Sequence, residues 1–449
     1  MADLPGQAEV AADPYRAALL RLVGASSPGM RLGLESTRQL LARLGDPQLS
    51  LRGVLVAGTN GKGSVCAIVA EIAERAGIRV ALLTKPHLTT YRERIRLNGE
   101  PVEKNLFQEI ADAVSGAADQ MASAEGRPTH HELLTAMGFL AAQRWSAELV
   151  VCEVGLGGRL DATNVWDGGI AALTSVALDH QAQLGNTIPE IAREKAAIIK
   201  PGNLVVSGAP DAARPAVEAA AVRASARLWQ LGREINVELA PDGGHGLMIR
   251  TPLAVREELL LGLSGSFQAE NAALAVGIAD SLVQLGFPIS DLAIRSGLAG
   301  VHWPGRMETL GSVPEVLIDA AHNPAAVDAV LPEIRRQLSG RSGVLLFGSM
   351  EDHDHQGMLQ LLRTVGFQAA VFTRSSSARA AAGSTLAACW SAPFEVVEPV
   401  SQALVRARAL AGPDGLVVSL GSIYVIGEVM SALGVGIPPD PEIPFPPLW

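Results

Sequence analysis

The sequence predicts an α/β protein of two domains, each a parallel β-sheet covered by helices. Three observations carry that reading. Short runs rich in Val, Ile and Leu alternate with helical-period segments along almost the whole chain, as in repeated βαβ units. One run, Val54–Ala57, ends in a glycine-rich loop containing a lysine and then opens a helix. A cluster of turn residues, Trp303–Pro304–Gly305–Arg306, interrupts the alternation before it resumes. A chain of 449 residues suits two domains. The expected division is residues 1–302 and 303–449, the second Rossmann-like.

Composition narrows the function classes. Apolar residues make up 48% and aromatic ones only 4%, so the cores are expected to be built from Leu, Val, Ile and Ala. The net charge is −10, with acidic residues dispersed rather than in blocks, which argues against a nucleic-acid partner. An anionic ligand must therefore meet local positive charge. Cys66, Cys152 and Cys389 follow no metal or redox spacing and read as buried thiols in a reducing compartment. The first 13 residues lack a basic region and an apolar core, and no apolar run is long enough to span a bilayer. A soluble, cytoplasmic protein without a membrane partner is expected, its first dozen residues disordered.

Taken in order, Tyr15–Leu22 and Leu34–Leu44 have helical periodicity, the second ending at Gly45. Val54–Ala57 is a strand, Gly58–Ser64 a loop, and a helix is expected from Ser64 to Gly77. Strand, glycine loop with lysine, and helix make a phosphate cradle of the type found in P-loop ATPases. Gly58, Gly61 and Gly63 let the backbone approach an anion, and the N–H groups of Thr59 and Asn60 and the helix N-terminus face it. Lys62 reaches the outer phosphates and the Ser64 hydroxyl suits Mg²⁺. Only Gly58, Thr59 and Asn60 precede Gly61–Lys62, a shorter spacing than the common phosphate loop.

Ile78–Leu83 is a second strand, feeding Thr84–Leu88 and the basic segment Tyr91–Arg96, either a solvated loop or a site for an anionic substrate. Helices are expected over Phe107–Ala124 and Glu132–Trp145. Leu149–Val154 is a continuous apolar run with one carboxylate, Glu153, suited to a strand buried on both faces. Its charge belongs at the strand end or in a pair. After the loop Gly155–Asn164, Ile170–Leu178 reads as a strand ending at Asp179–His180. The phosphate loop, Thr84–His87, Glu153 and Asp179–His180 all follow strands, where open parallel sheets bind ligands.

In the expected helix Ile188–Lys200, Lys195 falls on the apolar stripe of 188, 191, 192, 198 and 199. It is either a snorkelling lysine or a desolvated one with a lowered pKa, open to modification or facing a metal site. Short strand-like runs with a glycine-rich Asp242–Gly246 follow, then helices from Gly265 to Gly286 and over Ile289–Ala299. Beyond the junction, strands are expected at Val316–Asp319, Val344–Phe347, Ala369–Thr373, Phe394–Val397 and Leu416–Leu420. Asn323 and Pro324 start a helix to Leu338, as N-cap and first helical residue.

The motifs together resemble the folylpolyglutamate synthase/dihydrofolate synthase family of Mur-type ATP-dependent amide ligases. The resemblance rests on Arg31–Glu35, the loop Gly58–Ser64, Arg92–Glu100, Glu153–Asn164 and Leu178–His180. It continues through Arg193–Ala196, Trp303–Arg306, Asp319–Pro324 and Gly421–Tyr424. It implies an enzyme adding L-glutamate to a folate or dihydropteroate carboxylate through an acyl phosphate, with ATP and Mg²⁺, as a monomer. It implies that Ser64, Glu153, His180 and a carbamylated Lys195 hold metal, and that Asn271, Arg306 and Asp319 contact ATP. It assigns His322 and Ser422 to the cleft near glutamate, Arg94 to substrate, and Lys62, Lys195, His180 and Arg306 to catalysis. Three departures from the family pattern stand out: Lys85 where Ser is usual, Phe267 where His is usual, and His130–His131 where an aromatic pair is usual. Lys85 either supplies charge in place of a metal-positioning serine or weakens the metal site, the His pair bears on substrate preference, and each departure is equally open to neutral drift. Two other readings are a Mur-type ligase for a different carboxylate and a non-catalytic nucleotide-binding paralogue.

Overall fold

The computed structural model describes residues 13–26, 33–121, 127–239, 246–311 and 313–441. The expected disorder of the first dozen residues, Arg31–Leu32 of the family motif and most of the glycine-rich Asp242–Gly246 stretch lie outside the described residues.

The first sheet contains eight strands: β1 (Gly53–Ala57), β2 (Val80–Leu83), β3 (Ile95–Leu97), β4 (Glu100–Pro101), β5 (Leu149–Glu153), β6 (Gly169–Leu173), β7 (Leu204–Ser207) and β8 (Arg227–Gln230). They run in the order β4-β3-β2-β5-β1-β6-β7-β8. Pairing is parallel from β2 to β8, and β3 and β4 add antiparallel at one edge. Every residue of β1 and β5 is buried, because helices cover both faces. Alternate residues feed opposite cores. Leu55 and Cys152 pack toward the helices Lys104–Asp119 and His130–Arg144, while Val54, Val56 and Val151 pack toward Lys62–Arg75 and Gln268–Gln284. A small antiparallel sheet of β9 (Asn236–Leu239), β10 (Leu247–Arg250) and β11 (Val255–Leu259) lies outside it.

The last sheet comprises β12 (Glu308–Leu310), β13 (Glu315–Ile318), β14 (Gly343–Phe347), β15 (Ala369–Phe372), β16 (Phe394–Val396) and β17 (Leu416–Leu420), in the order β12-β13-β17-β14-β15-β16. Only β12 is antiparallel. Two separate cores cover its faces.

Several elements differ from expectation. The cradle helix starts at Lys62, not Ser64. The strand expected over Ile170–Leu178 stops at Leu173, because the next residues grip the phosphate loop instead of extending the ladder. The Thr174 hydroxyl donates to the Asn60 carbonyl at 2.6 Å, and the Thr59 N–H donates to the Ser175 carbonyl at 2.8 Å. The helix from Ile188 ends at Ala196, and Lys200 turns back to the Asn164 carbonyl at 3.0 Å. Tyr91–Arg94 is a 3-10 turn closed by a Thr90–Glu93 capping box. Cys66 and Cys152 are buried, whereas Cys389 is half-buried.

Candidate active site

The phosphate loop sits at the carboxyl end of the central strand β1. Gly61 adopts φ +85° as the residue before the helix, and a Cβ there would lie 2.5 Å from the Asn271 side-chain oxygen. That close approach needs glycine. It also places Asn271 against the loop, with its amide donating to Gln268 Oε1 at 2.8 Å. Gln268, fully buried, in turn donates to Ser64 Oγ at 3.3 Å. At Gly63 a Cβ would lie 3.0 Å from the Trp303 indole nitrogen and 3.7 Å from Arg306 Nη2. Asn271, Ser64 and Arg306 are therefore gathered around one loop.

Two ammonium groups converge on the Gly58 carbonyl. Lys62 Nζ donates to it at 3.1 Å and to the Thr59 carbonyl at 3.0 Å. Lys195 Nζ donates to it at 2.8 Å. Lys195 is 4% exposed, and burial together with the charge of Lys62 holds its amine down at about 7. Glu153 ends β5 as the strand's only charge. Burial raises its carboxyl, against the pull of Lys62 and of the Lys85 N–H, which donates to Oε2 at 3.1 Å.

Asp319 accepts the N–H groups of Met307 and Ala321, each at 2.8 Å, and burial raises its carboxyl despite Arg306 nearby. His322 bonds the Ala320 carbonyl through Nδ1 at 2.9 Å, its ring lies tilted with its centre 5.4 Å from that of His353, and burial lowers its pKa. Ser422 caps its helix by accepting the Tyr424 N–H at 3.2 Å. The His180 ring stands 3.9 Å from Asp179, whose carboxyl is held low by His180, His322 and His353 despite burial. His180 makes no hydrogen bond to Ser64, Glu153 or Lys195. It faces the His322–His353 side of the cleft.

Arg94 is buried, donates to His87 Nδ1 at 2.8 Å and lies over the Tyr91 ring. Two cavities meet here. One is lined by residues including Leu83, Lys85, Arg94, Thr135 and Cys152. The other is lined by residues including Gly63, Lys85, Glu153, Trp303, Arg306 and Ile423.

Four residues were not singled out as site residues from the sequence. Gln268 joins Ser64 to Asn271. Asp161 accepts the N–H groups of Gly155, Leu156 and Thr163, the Thr163 hydroxyl and His131 Nε2. Burial opposes its charge, but these donors and Lys85 hold it well below the usual carboxylate range. Asn323 caps its helix and also donates across the cleft to Asn60 Oδ1 and Asp179 Oδ2, each at 3.0 Å. Asp440 accepts from the Tyr15 and Thr90 hydroxyls and the Tyr91 N–H, each at 2.7 Å. The cap of Asn323 has a local sequence signal; the strap from Asp440, about 350 positions away, has none.

Two family models match the chain. The Mur ligase middle domain matches residues 56–279, and the Mur ligase glutamate ligase domain matches residues 305–423. The dihydrofolate synthase/folylpolyglutamate synthase of Bacillus subtilis is 33% identical over 419 residues, covering 90% of this chain and 96% of that one. The chain belongs to the dihydrofolate synthase/folylpolyglutamate synthase family of Mur ligases. It is an enzyme, an ATP-dependent C–N ligase. The Escherichia coli FolC structure in complex with DHPP and ADP superposes with TM-score 0.85 at 30% identity, covering 94% of this chain and 98% of that one. The Yersinia pestis bifunctional enzyme with AMPPNP and a Mn ion gives 0.82 at 29% identity, covering 95% and 99%. Among the described residues no helix is long and apolar enough to cross a membrane.

Proposed function

We propose that this ligase joins L-glutamate to a pterin-linked carboxylate, dihydropteroate or a reduced folate, through an acyl phosphate, as a cytoplasmic monomer. The observation that carries the reading is the meeting of two cavities, one opening onto the phosphate loop and Arg306, the other lined by Arg94 and Lys85. ATP would occupy Gly58–Ser64, with Asn271 near the base and Arg306 and Asp319 toward phosphate and sugar. Lys62, folded onto its own loop carbonyls, would swing to the outer phosphates.

The donor set suits a hard divalent cation. The Ser64 hydroxyl accepts from Gln268, and among the described residues the Glu153 carboxylate accepts one N–H, leaving lone pairs for a metal. Among the described residues no three His, Cys, Asp or Glu side chains cluster as a metal cage. Ser64 and Glu153 would hold Mg²⁺, with His180 and a carbamylated Lys195 as the remaining family ligands. An amine near 7 is partly neutral at physiological pH, as addition to CO₂ requires. When bound, Mg²⁺ neutralises charge on the phosphates.

A carboxylate oxygen of the acid attacks the γ-phosphorus, and ADP leaves. Lys62 and Arg306 offset the charge spread over the transferring group. The glutamate amine, held by residues 303–449 near His322 and Ser422, then attacks the acyl carbon and phosphate leaves. Asn60, Asp179 and Asn323 tie residues 1–302 to 303–449 at the cleft and help exclude water from the acyl phosphate. The test is ADP release with Mg²⁺ and glutamate, using dihydropteroate or tetrahydrofolate as the acid. Release that needs both acid and glutamate is expected; no acid-dependent release with either would overturn the reading.

A further inference from the structure

Lys85 lines both cavities, so it forms part of the wall between them. Its backbone N–H is committed to Glu153. Its ammonium lies 3.4 Å from His131 Nε2, its one side-chain neighbour at hydrogen-bond distance. That nitrogen is not available as an acceptor. Asp161 is an ionised, acceptor-only carboxylate 3.0 Å from the same Nε2, so Nε2 carries the hydrogen and donates it to Asp161. The three donors of Lys85 are thus left without an acceptor. Arg94, on the same cavity, is 7% exposed and spends its Nε on a neutral His87. Among the described residues neither cation forms an ion pair with a carboxylate. The Thr135 hydroxyl, buried and also on this cavity, has no hydrogen-bond partner among the described residues. A half-buried ammonium whose donors lack an acceptor and a buried guanidinium without a carboxylate partner, beside an unpaired hydroxyl, make a site for an anion.

We propose that Lys85 receives the reacting carboxylate of the acid substrate and holds it at the mouth of the phosphate cradle. The proposal rests on the amide-ligase reading and adds a residue to it. The carboxylate and the polyphosphate are both anions and repel each other as they are brought together. A fixed ammonium on the wall between the cavities lowers that repulsion for each arriving acid. Lys85 positions and screens, and transfers no proton.

The test is direct binding of 7,8-dihydropteroate and of its methyl ester, without nucleotide or Mg²⁺, to wild type, Lys85→Met and Lys85→Arg. ADP binding to each protein serves as the control for folding. Wild type and Lys85→Arg are expected to prefer the acid over the ester by about tenfold or more. Lys85→Met is expected to lose that preference while binding ADP normally, and in turnover to raise KM for the acid with KM for ATP unchanged. Acid–ester discrimination retained by Lys85→Met would overturn the proposal and leave the ligase reading intact. A wild-type protein that binds neither dihydropteroate nor tetrahydrofolate would overturn both. If Lys85→Met fails to bind ADP, Lys85→Gln is measured in its place against the same two outcomes.

Discussion

Replacing Lys195 by Met should make the apoprotein more stable at neutral pH while abolishing ligation. In the folded chain burial and Lys62 hold the amine at about 7, against an ordinary 10.5. That difference makes keeping the buried ammonium protonated cost about 5 kcal/mol. The lost hydrogen bond to the Gly58 carbonyl offsets about 1–3 kcal/mol. Lys195→Met should therefore gain about 2–4 kcal/mol below pH 7. The pH dependence has a definite sign. Between about 7 and 10.5 the unfolded lysine keeps its proton while the folded one has released it. Wild-type stability should rise with pH across that window through this group, by up to about 1.4 kcal/mol per pH unit. Below pH 7 both states are protonated and the contribution is flat. The assay is urea unfolding at pH 6.5, 8 and 9.5 in CO₂-free, metal-free and nucleotide-free buffer. The other titrating groups are common to both proteins, so the difference between wild type and variant isolates Lys195. A difference that stays constant from pH 6.5 to 9.5 would refute the desolvated-lysine account.

Lys62→Ala should cut acid- and glutamate-dependent ADP release by about 10²-fold or more, since it removes a cation aimed at the outer phosphates; steady-state rates near wild type would contradict that role. Asp440→Ala removes three hydrogen bonds that strap the C-terminal segment to the Thr90–Tyr91 turn beside Arg94. It should lower thermal stability by several degrees and raise KM for the acid more than KM for ATP, read from melting curves and initial rates.

The fold was largely legible because βαβ alternation is a local signal. Strands such as Leu149–Glu153 and Leu416–Leu420 are short apolar runs that nothing else explains. What escaped was decided by distant partners. Ile170–Leu178 is apolar enough for a long strand, but Thr174 and Ser175 bond to the phosphate loop about 115 positions away and end it early. β12, reading Glu-Thr-Leu, is an edge strand without an apolar run. In the site, Lys195 was legible because helical periodicity puts it on the buried face, and Ser64, Asn271 and Arg306 through their motifs. Asp161 read only as a loop residue, since its five donors come from a coiled backbone and from His131. Gln268 and Asp440 act through contacts between segments 204 and about 350 positions apart, which no local pattern records.

The central claim is that carboxylate oxygen is transferred to phosphate as the amide forms. The direct measurement uses dihydropteroate labelled with ¹⁸O in both carboxylate oxygens, incubated with the enzyme, ATP, Mg²⁺ and glutamate, with mass analysis of the released phosphate. An acyl phosphate leaves its bridging oxygen on phosphorus, so each amide formed should yield one phosphate carrying one ¹⁸O. Amide formation with unlabelled phosphate would contradict the account.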